Sequence, residues 1–219
     1  MEKPRLDLSA IEASLRQLQH EFPRINELLQ SRRDTLTDEI IEHLLTGYMF
    51  VDQALADNID LLSPRYVTCL LELNHLVLCG VDPQVRREHA KHLIATTARF
   101  YTQEVFNIDE ILRWHTKHQD ESPWRRAAGV YVRILSQPQL YIEGNHRTGA
   151  LIMSYILARA GKAPFVLTVE NALAYFDPSS LVKATLKTPT TLLTKLPRMK
   201  KRFATFLKEQ EDTRYLAQS

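Results

Sequence analysis

Apolar residues recur at helical spacing along most of this chain. Ser9, with Glu12 three residues on, has the spacing of a capping box ahead of Leu15 and Leu18. Pro23 interrupts, and Ile25, Leu28 and Leu29 resume the pattern. Thr37 reads as a second cap. Behind it Ile40, Ile41, Leu44, Leu45 and Tyr48 make one apolar face, which continues in register through Val51, Leu55, Ile59 and Leu62. Pro64 stands where a first helical turn accepts proline. Residues 66–78 are then apolar nearly all round apart from Glu72, Asn74 and His75, which predicts a buried helix; His75 reads as a satisfied core histidine. Gly80, Asp82 and Pro83 mark a loop.

The second half is less uniform. Residues 94–101 are rich in β-branched and aromatic side chains and predict a short strand or hairpin. Helical spacing returns at Ile111, Leu112 and Trp114, breaks in the polar stretch 118–123, and returns over 124–135. His115 and His118 are three apart, a spacing that can bind metal, but no third ligand accompanies them and a solvent-facing position is expected. Residues 148–160 predict a strong helix closed by Gly161, with Pro164 preventing its return. A brief extended piece follows at 165–169, then a short helix capped by Asn171 and reaching Phe176, and a turn at 177–180. No internal repeat is present. The expected fold is all-α with one small β feature.

Composition narrows the class. A chain of 219 residues, 44% hydrophobic and 25% charged, suits one globular domain or one with a small helical annex. Its six glycines leave little room for a turn-dense β architecture, and a net charge of +2 gives no general argument for a nucleic-acid or membrane partner. No apolar run reaches the ~18 residues a membrane span needs, and the opening Met-Glu-Lys-Pro-Arg-Leu-Asp-Leu lacks the apolar core of a signal peptide. Cys69 and Cys79 both lie in an apolar stretch and are expected to be buried thiols, so a reducing, cytoplasmic setting is the expectation. Residues 183–208 carry eight lysines and arginines among threonines. With no aromatic platform beside them, they read as a solvated helix face, with Leu192, Leu193, Phe203, Phe206 and Leu207 turned inward.

Chemistry concentrates in residues 139–150, Gln-Leu-Tyr-Ile-Glu-Gly-Asn-His-Arg-Thr-Gly-Ala. A polar loop empties there into an apolar helix. Unpaired N–H groups and the positive dipole end of such a helix favour an anion, usually phosphate. Glu143 could hold a divalent metal and Arg147 could clamp a phosphate. The plainer readings are a helix-capping acid for Glu143 and an ordinary ion-pair residue for Arg147.

These residues resemble the signature of the Fic/Doc family (the Fido fold), His-Pro-Phe-x-Asp/Glu-Gly-Asn-Gly-Arg-x-x-Arg. The flanks resemble it as well. Ala127-Ala-Gly-Val-Tyr-Val-Arg-Ile-Leu is similar to the preceding helix, residues 151–164 to the following one, and Leu71-Glu-Leu-Asn-His-Leu-Val-Leu-Cys-Gly to an early core helix. The resemblance spans about residues 63–168. It implies a helical bundle around a buried central helix, with a β-hairpin flap at 94–101 where Arg99, Phe100 and Tyr101 would position a target protein. The implied division is an N-terminal helical extension over 1–62, a Fic-like core over 63–180 and a basic helical segment over 181–219. Implied also are Mg²⁺ and ATP or another nucleotide or phosphate donor, with Glu143 at the metal and Gly144, Asn145 and Arg147 at the phosphates.

The departures bear on activity. The family's catalytic histidine, which takes the proton from the target hydroxyl, falls at Gln139, and a carboxamide has no useful basicity near neutral pH. His146 replaces a glycine and is the one imidazole in the loop, a candidate displaced base or phosphate donor, or else a tolerated solvent-facing substitution. The final arginine is Ala150. No inhibitory Ser/Thr-x-x-x-Glu-Gly/Asn helix is evident, since Thr68 and Glu72 have the spacing but Leu73 follows. The sequence therefore points to a divergent Fic-type transferase that modifies a hydroxyl acceptor, with ordinary AMP transfer in doubt. The alternative is a non-catalytic module of the same fold that binds a nucleotide or a protein.

Overall fold

Of the two helices at the N-terminus, the second packs on the buried helix that carries the site and the first packs on the second. A computed structural model describes residues 4–102 and 106–217; Met1 to Lys3, part of the stretch read above for a leader, lie outside them. Helix α1 (Leu8–Leu28) starts on Asp7, whose carboxylate accepts from the Ala10 amide at 2.9 Å. The expected cap, Ser9, is inside the helix, because the earlier Asp7 offers the same bond plus a charge that suits the dipole. Pro23 also lies inside α1 and does not break it, since buried Phe22 and Ile25 hold that turn against the core. Helix α2 (Asp38–Ala56) is capped by Thr37 as expected, with Oγ1 accepting from Ile40 at 3.3 Å. It ends short of Leu62, and Leu61 and Leu62 are buried from the turns that follow.

After a 3-10 turn at Pro64–Tyr66 comes α3 (Thr68–Cys79), closed by Gly80 at φ 59°, ψ −147°. Then follow α4 (Pro83–Glu88), α5 (Ala90–Thr102), α6 (Ile108–Lys117) and α7 (Pro123–Leu135). The expected β-hairpin at 94–101 is therefore wrong: these residues belong to α5. Thr96 and Phe100, four apart, are both fully buried, which fixes a helical face. The hydroxyls of Thr97 and Thr102 donate back to the carbonyls of Leu93 and Ala98, a bond that lets β-branched residues sit in a helix. Tertiary burial overrode strand-like composition. Among the described residues only isolated bridges stand for β structure, Leu6 with Leu216 and Gln137 with Leu186.

Helix α8 (Asn145–Arg159) is the centre of the bundle, with every residue from Leu151 to Ala158 buried, and it packs on α7, α2 and α3. Gly161, at φ 69°, closes it as expected: the Lys162 amide donates to Leu157 and the Gly161 amide to Ala158. Helix α9 (Ala172–Lys183) begins after Asn171 but runs through the expected turn, because Pro178, Ser179 and Val182 are all buried. Helices α10 (Pro189–Leu193) and α11 (Lys195–Glu209) complete the chain before a 3-10 turn at Thr213–Tyr215.

Helix α11 lies along α7 and buries Phe203, Phe206 and Leu207. Leu193, expected inward, is exposed, since α10 is a single short turn. The basic segment is not solvated throughout. Lys187 is buried, with Nζ donating to the Pro138 carbonyl at 2.7 Å, and Lys200 is buried against Glu121 at 2.8 Å. His115 is likewise buried rather than solvent-facing, and His118 stacks on Trp114. His75 is half-buried with Nε2 lacking a partner among the described residues, so it is not a satisfied core histidine. Both cysteines are free thiols, Cys79 buried and Cys69 half-buried. No described helix is long and apolar enough to cross a membrane.

Candidate functional site

The loop between α7 and α8 is held from three directions. Tyr141 is fully buried, its ring stacked on Phe100 of α5 at 5.6 Å and its hydroxyl donating to the Leu70 carbonyl of α3 at 3.0 Å. Arg99 Nε donates to the Gln139 carbonyl at 2.9 Å. Asn74 of α3, fully buried, donates through Nδ2 to the Glu143 carbonyl and to Thr148 Oγ1, each at 3.0 Å. The residues expected on a target-facing flap thus do something else. Arg99 and Phe100 brace the loop from behind, and Tyr101 is partly exposed at the end of α5.

Gly144 turns the chain into α8 at φ 74°, ψ 4°. A Cβ there would stand 2.8 Å from Asn74 Nδ2, so conformation and close approach both call for glycine. No side chain caps α8, and the first backbone bond across its start is Thr148 N–H to the Gly144 carbonyl at 2.9 Å. The amides of residues 145–147 precede that bond and point out of the helix end, as first-turn amides do. The Asn145 side chain is turned into the loop: Oδ1 accepts from the Tyr141 amide and Nδ2 donates to the Tyr141 carbonyl. Any ligand contact from Asn145 is therefore through its backbone N–H.

Gln139, Glu143, Gly144, Asn145, His146 and Arg147 line one cleft of ≈ 280 Å³, joined by Asp34 and Lys183. The structure brings the signature residues together. Gln139 is half-buried and its amide donates to the Leu135 carbonyl at 3.1 Å. Glu143 is exposed in the cleft. Arg147 donates through Nη1 to the Val77 carbonyl at the end of α3, 2.8 Å away. Burial pushes its pKa down while Glu143, Asp34 and Glu39 push it up, and a guanidinium starting so high stays charged.

His146 is almost enclosed. Arg33 Nη1 lies 3.3 Å from its Nε2, and Tyr131 Oη lies 3.3 Å from its Nδ1. A guanidinium only donates, so Nε2 is the acceptor and the ring proton belongs on Nδ1, facing Tyr131. The hydroxyl network agrees: Tyr131 donates to Tyr175 at 3.0 Å, and Tyr175 donates to the His146 carbonyl at 3.1 Å. Burial, then the charges of Arg33 and Lys183, push the imidazole down to about 3. It is neutral at physiological pH and a weak base.

Arg33 is the participant that sequence reasoning missed. Asn26 fixes its backbone, accepting from the Arg33 N–H at 2.7 Å and donating to the Arg33 carbonyl at 2.8 Å. Its guanidinium lies over the Phe176 ring and donates to Ser180 Oγ at 2.6 Å. An Arg32-Arg33 pair in the link between two helices carries no local signal of such a role.

A divalent metal is implied by the sequence resemblance, and the donors suit one only in company with phosphate. Among the described residues no three of His, Cys, Asp or Glu form a metal-holding group. Glu143 and Asp34 share the cleft, and Mg²⁺ is commonly held by one or two carboxylates plus ligand phosphates and water.

No protein-family profile and no curated protein matches this chain. Among solved structures it is similar to a Fic domain containing signaling protein from Bacteroides thetaiotaomicron, with 19% identity over 92% of this chain and 81% of that one at a TM-score of 0.48. A likeness at that level fixes no residue correspondence.

Proposed function

We propose that this protein binds a phosphate-bearing ligand, a nucleotide diphosphate or a related ester, at the N-terminus of α8, and that it is a binding module rather than an AMP transferase. The observation that carries this reading is the uncapped start of a buried helix behind left-handed Gly144, with Arg147 in its first turn. Three first-turn amides and a guanidinium suit two or three phosphate oxygens. Glu143 and Asp34 would hold Mg²⁺ against those oxygens, and the ion would supply neutralisation of diphosphate charge when bound.

The proton-transfer half of a transferase has no evident agent. Gln139 has no basicity, and its amide is turned back to Leu135. His146, the candidate displaced base, is held near pKa 3 with its ring between Tyr131 and Arg33, far from the operating pH that suits a general base. A protein target at a β-hairpin flap is not part of the proposal, because helix α5 occupies those residues.

Calorimetric titration of ADP, with and without Mg²⁺, tests the reading on wild type, Glu143→Ala and Arg147→Ala. Binding that weakens in Arg147→Ala supports the cradle, and a Mg²⁺ dependence lost in Glu143→Ala supports the metal assignment. Absence of binding by ADP and by inorganic phosphate sinks the proposal. Transfer of label from α-labelled ATP to protein, abolished in His146→Ala, would restore the transferase reading.

A further inference from the structure

A second cavity, of ≈ 200 Å³, lies behind the phosphate cradle and shares three wall residues with it: Asp34, His146 and Arg147. Its other walls are mostly apolar and come from α1, α2, α9 and the extended piece after α8; Leu18, Phe22, Leu44 and Phe165 are among them. Ala150, one turn along α8 from His146, lines it where a longer side chain would enter. The polar groups gather at the shared end, where two guanidiniums, Arg33 and Arg147, stand against the single carboxylate of Asp34. Arg33 Nε is buried there without a partner among the described residues, although both Nη atoms are bonded. A buried donor left unpaired is costly.

The apolar part of a cavity of this size has room for a hydrocarbon group of ring or short-chain size. We infer that the ligand of the cradle is a phosphate or diphosphate ester of a compact apolar alcohol, its charged end on the α8 N-terminus and its hydrocarbon body in this cavity. The inference rests on the phosphate reading of the cradle and adds what lies beyond the phosphate. A triphosphate tail would meet apolar walls there. An aryl or short alkyl group would replace no solvating contacts and would leave its phosphate beside Arg147 and Arg33.

Titration of hexyl phosphate against inorganic phosphate on the full chain separates the two claims. The expected result is at least tenfold tighter binding of hexyl phosphate in wild type. That advantage should be lost in Leu44→Trp or Leu36→Trp, which fill the cavity from α2 or just before it. Inorganic phosphate should bind as before in whichever variant keeps a cooperative melt. Hexyl phosphate binding no tighter than inorganic phosphate overturns the inference and leaves the cradle standing. Absence of binding by both, and by ADP, overturns the cradle reading and this inference with it. The comparison of the two probes is made on wild type, so it holds even if both variants misfold.

Discussion

Asn145 closes on Tyr141 with both ends of its side-chain amide, Oδ1 accepting from the backbone N–H at 3.0 Å and Nδ2 donating to the carbonyl at 2.9 Å. The two residues bracket the turn that presents Glu143 and Gly144, and both are buried. Asn145→Ala leaves a buried N–H and a buried carbonyl without partners. A loss of about 2–4 kcal/mol is expected, on the scale of two unsatisfied backbone groups. Urea unfolding checks it; a loss below about 0.5 kcal/mol would mean the loop finds other partners. Asn145→Asp keeps the acceptor but sets a buried carboxylate oxygen against the Tyr141 carbonyl, so it should cost at least as much as the alanine.

Gly144 and Gly161 both sit at positive φ, 74° and 69°, yet their surroundings differ. A Cβ at Gly144 meets Asn74 at 2.8 Å, while one at Gly161 meets nothing within 4 Å. Gly161→Ala should cost only the backbone preference, about 1 kcal/mol. Gly144→Ala should cost that plus displacement of a fully buried amide, roughly 2–3 kcal/mol in all. Equal melting shifts for the two would show that the Asn74 contact yields freely.

The enclosure of His146 makes the fold acid-sensitive. Its folded pKa is depressed from 6.5 to about 3, so between those values the unfolded chain binds the proton and the folded one does not. Stability is whole above about pH 6.5 and falls as pH drops towards 3, by up to about 3 kcal/mol at pH 4 if this residue acts alone. His43, His75 and His115 are depressed by burial as well and act in the same direction. In His146→Gln the slope of stability against pH over 4–6.5 should be shallower than in wild type. An unchanged slope would show that His146 titrates normally.

Arg147 is tied to α3 by its bond to Val77 and to the cradle by position. Arg147→Ala is expected to weaken ADP at least tenfold, the scale of one charge-assisted bond to phosphate. Arg147→Lys should recover part of the affinity but not the planar grip. Wild-type affinity in Arg147→Ala would exclude the residue from the phosphates.

What could be read from the chain beforehand follows the range of the forces involved. The site loop and α8 were legible because their signals are local: a glycine at the turn, an apolar run, and Gly161 at the end. Helix α5 was not, since Thr96, Thr97 and Phe100 are strand-like by type and helical only because the Phe100 ring is buried against Tyr141. Pro23 and Pro178 stay inside helices for the same reason: buried neighbours outweigh a local breaker. Among site residues, Gln139, Glu143, Gly144, Asn145, His146 and Arg147 do converge on one cleft. The inward turn of the Asn145 side chain and the reach of Arg33 depend on folded geometry that no spacing encodes.

Arg33 joins His146 across 113 positions and Ser180 across 147. It thereby couples the cradle to the docking of the N-terminal helices. A chain whose α1 has locally detached keeps α8 and its loop but loses the wall behind them, so a bound ligand and an attached α1 favour each other. Amide hydrogen exchange in α1, far from the phosphates in sequence, should therefore slow when the cradle is filled.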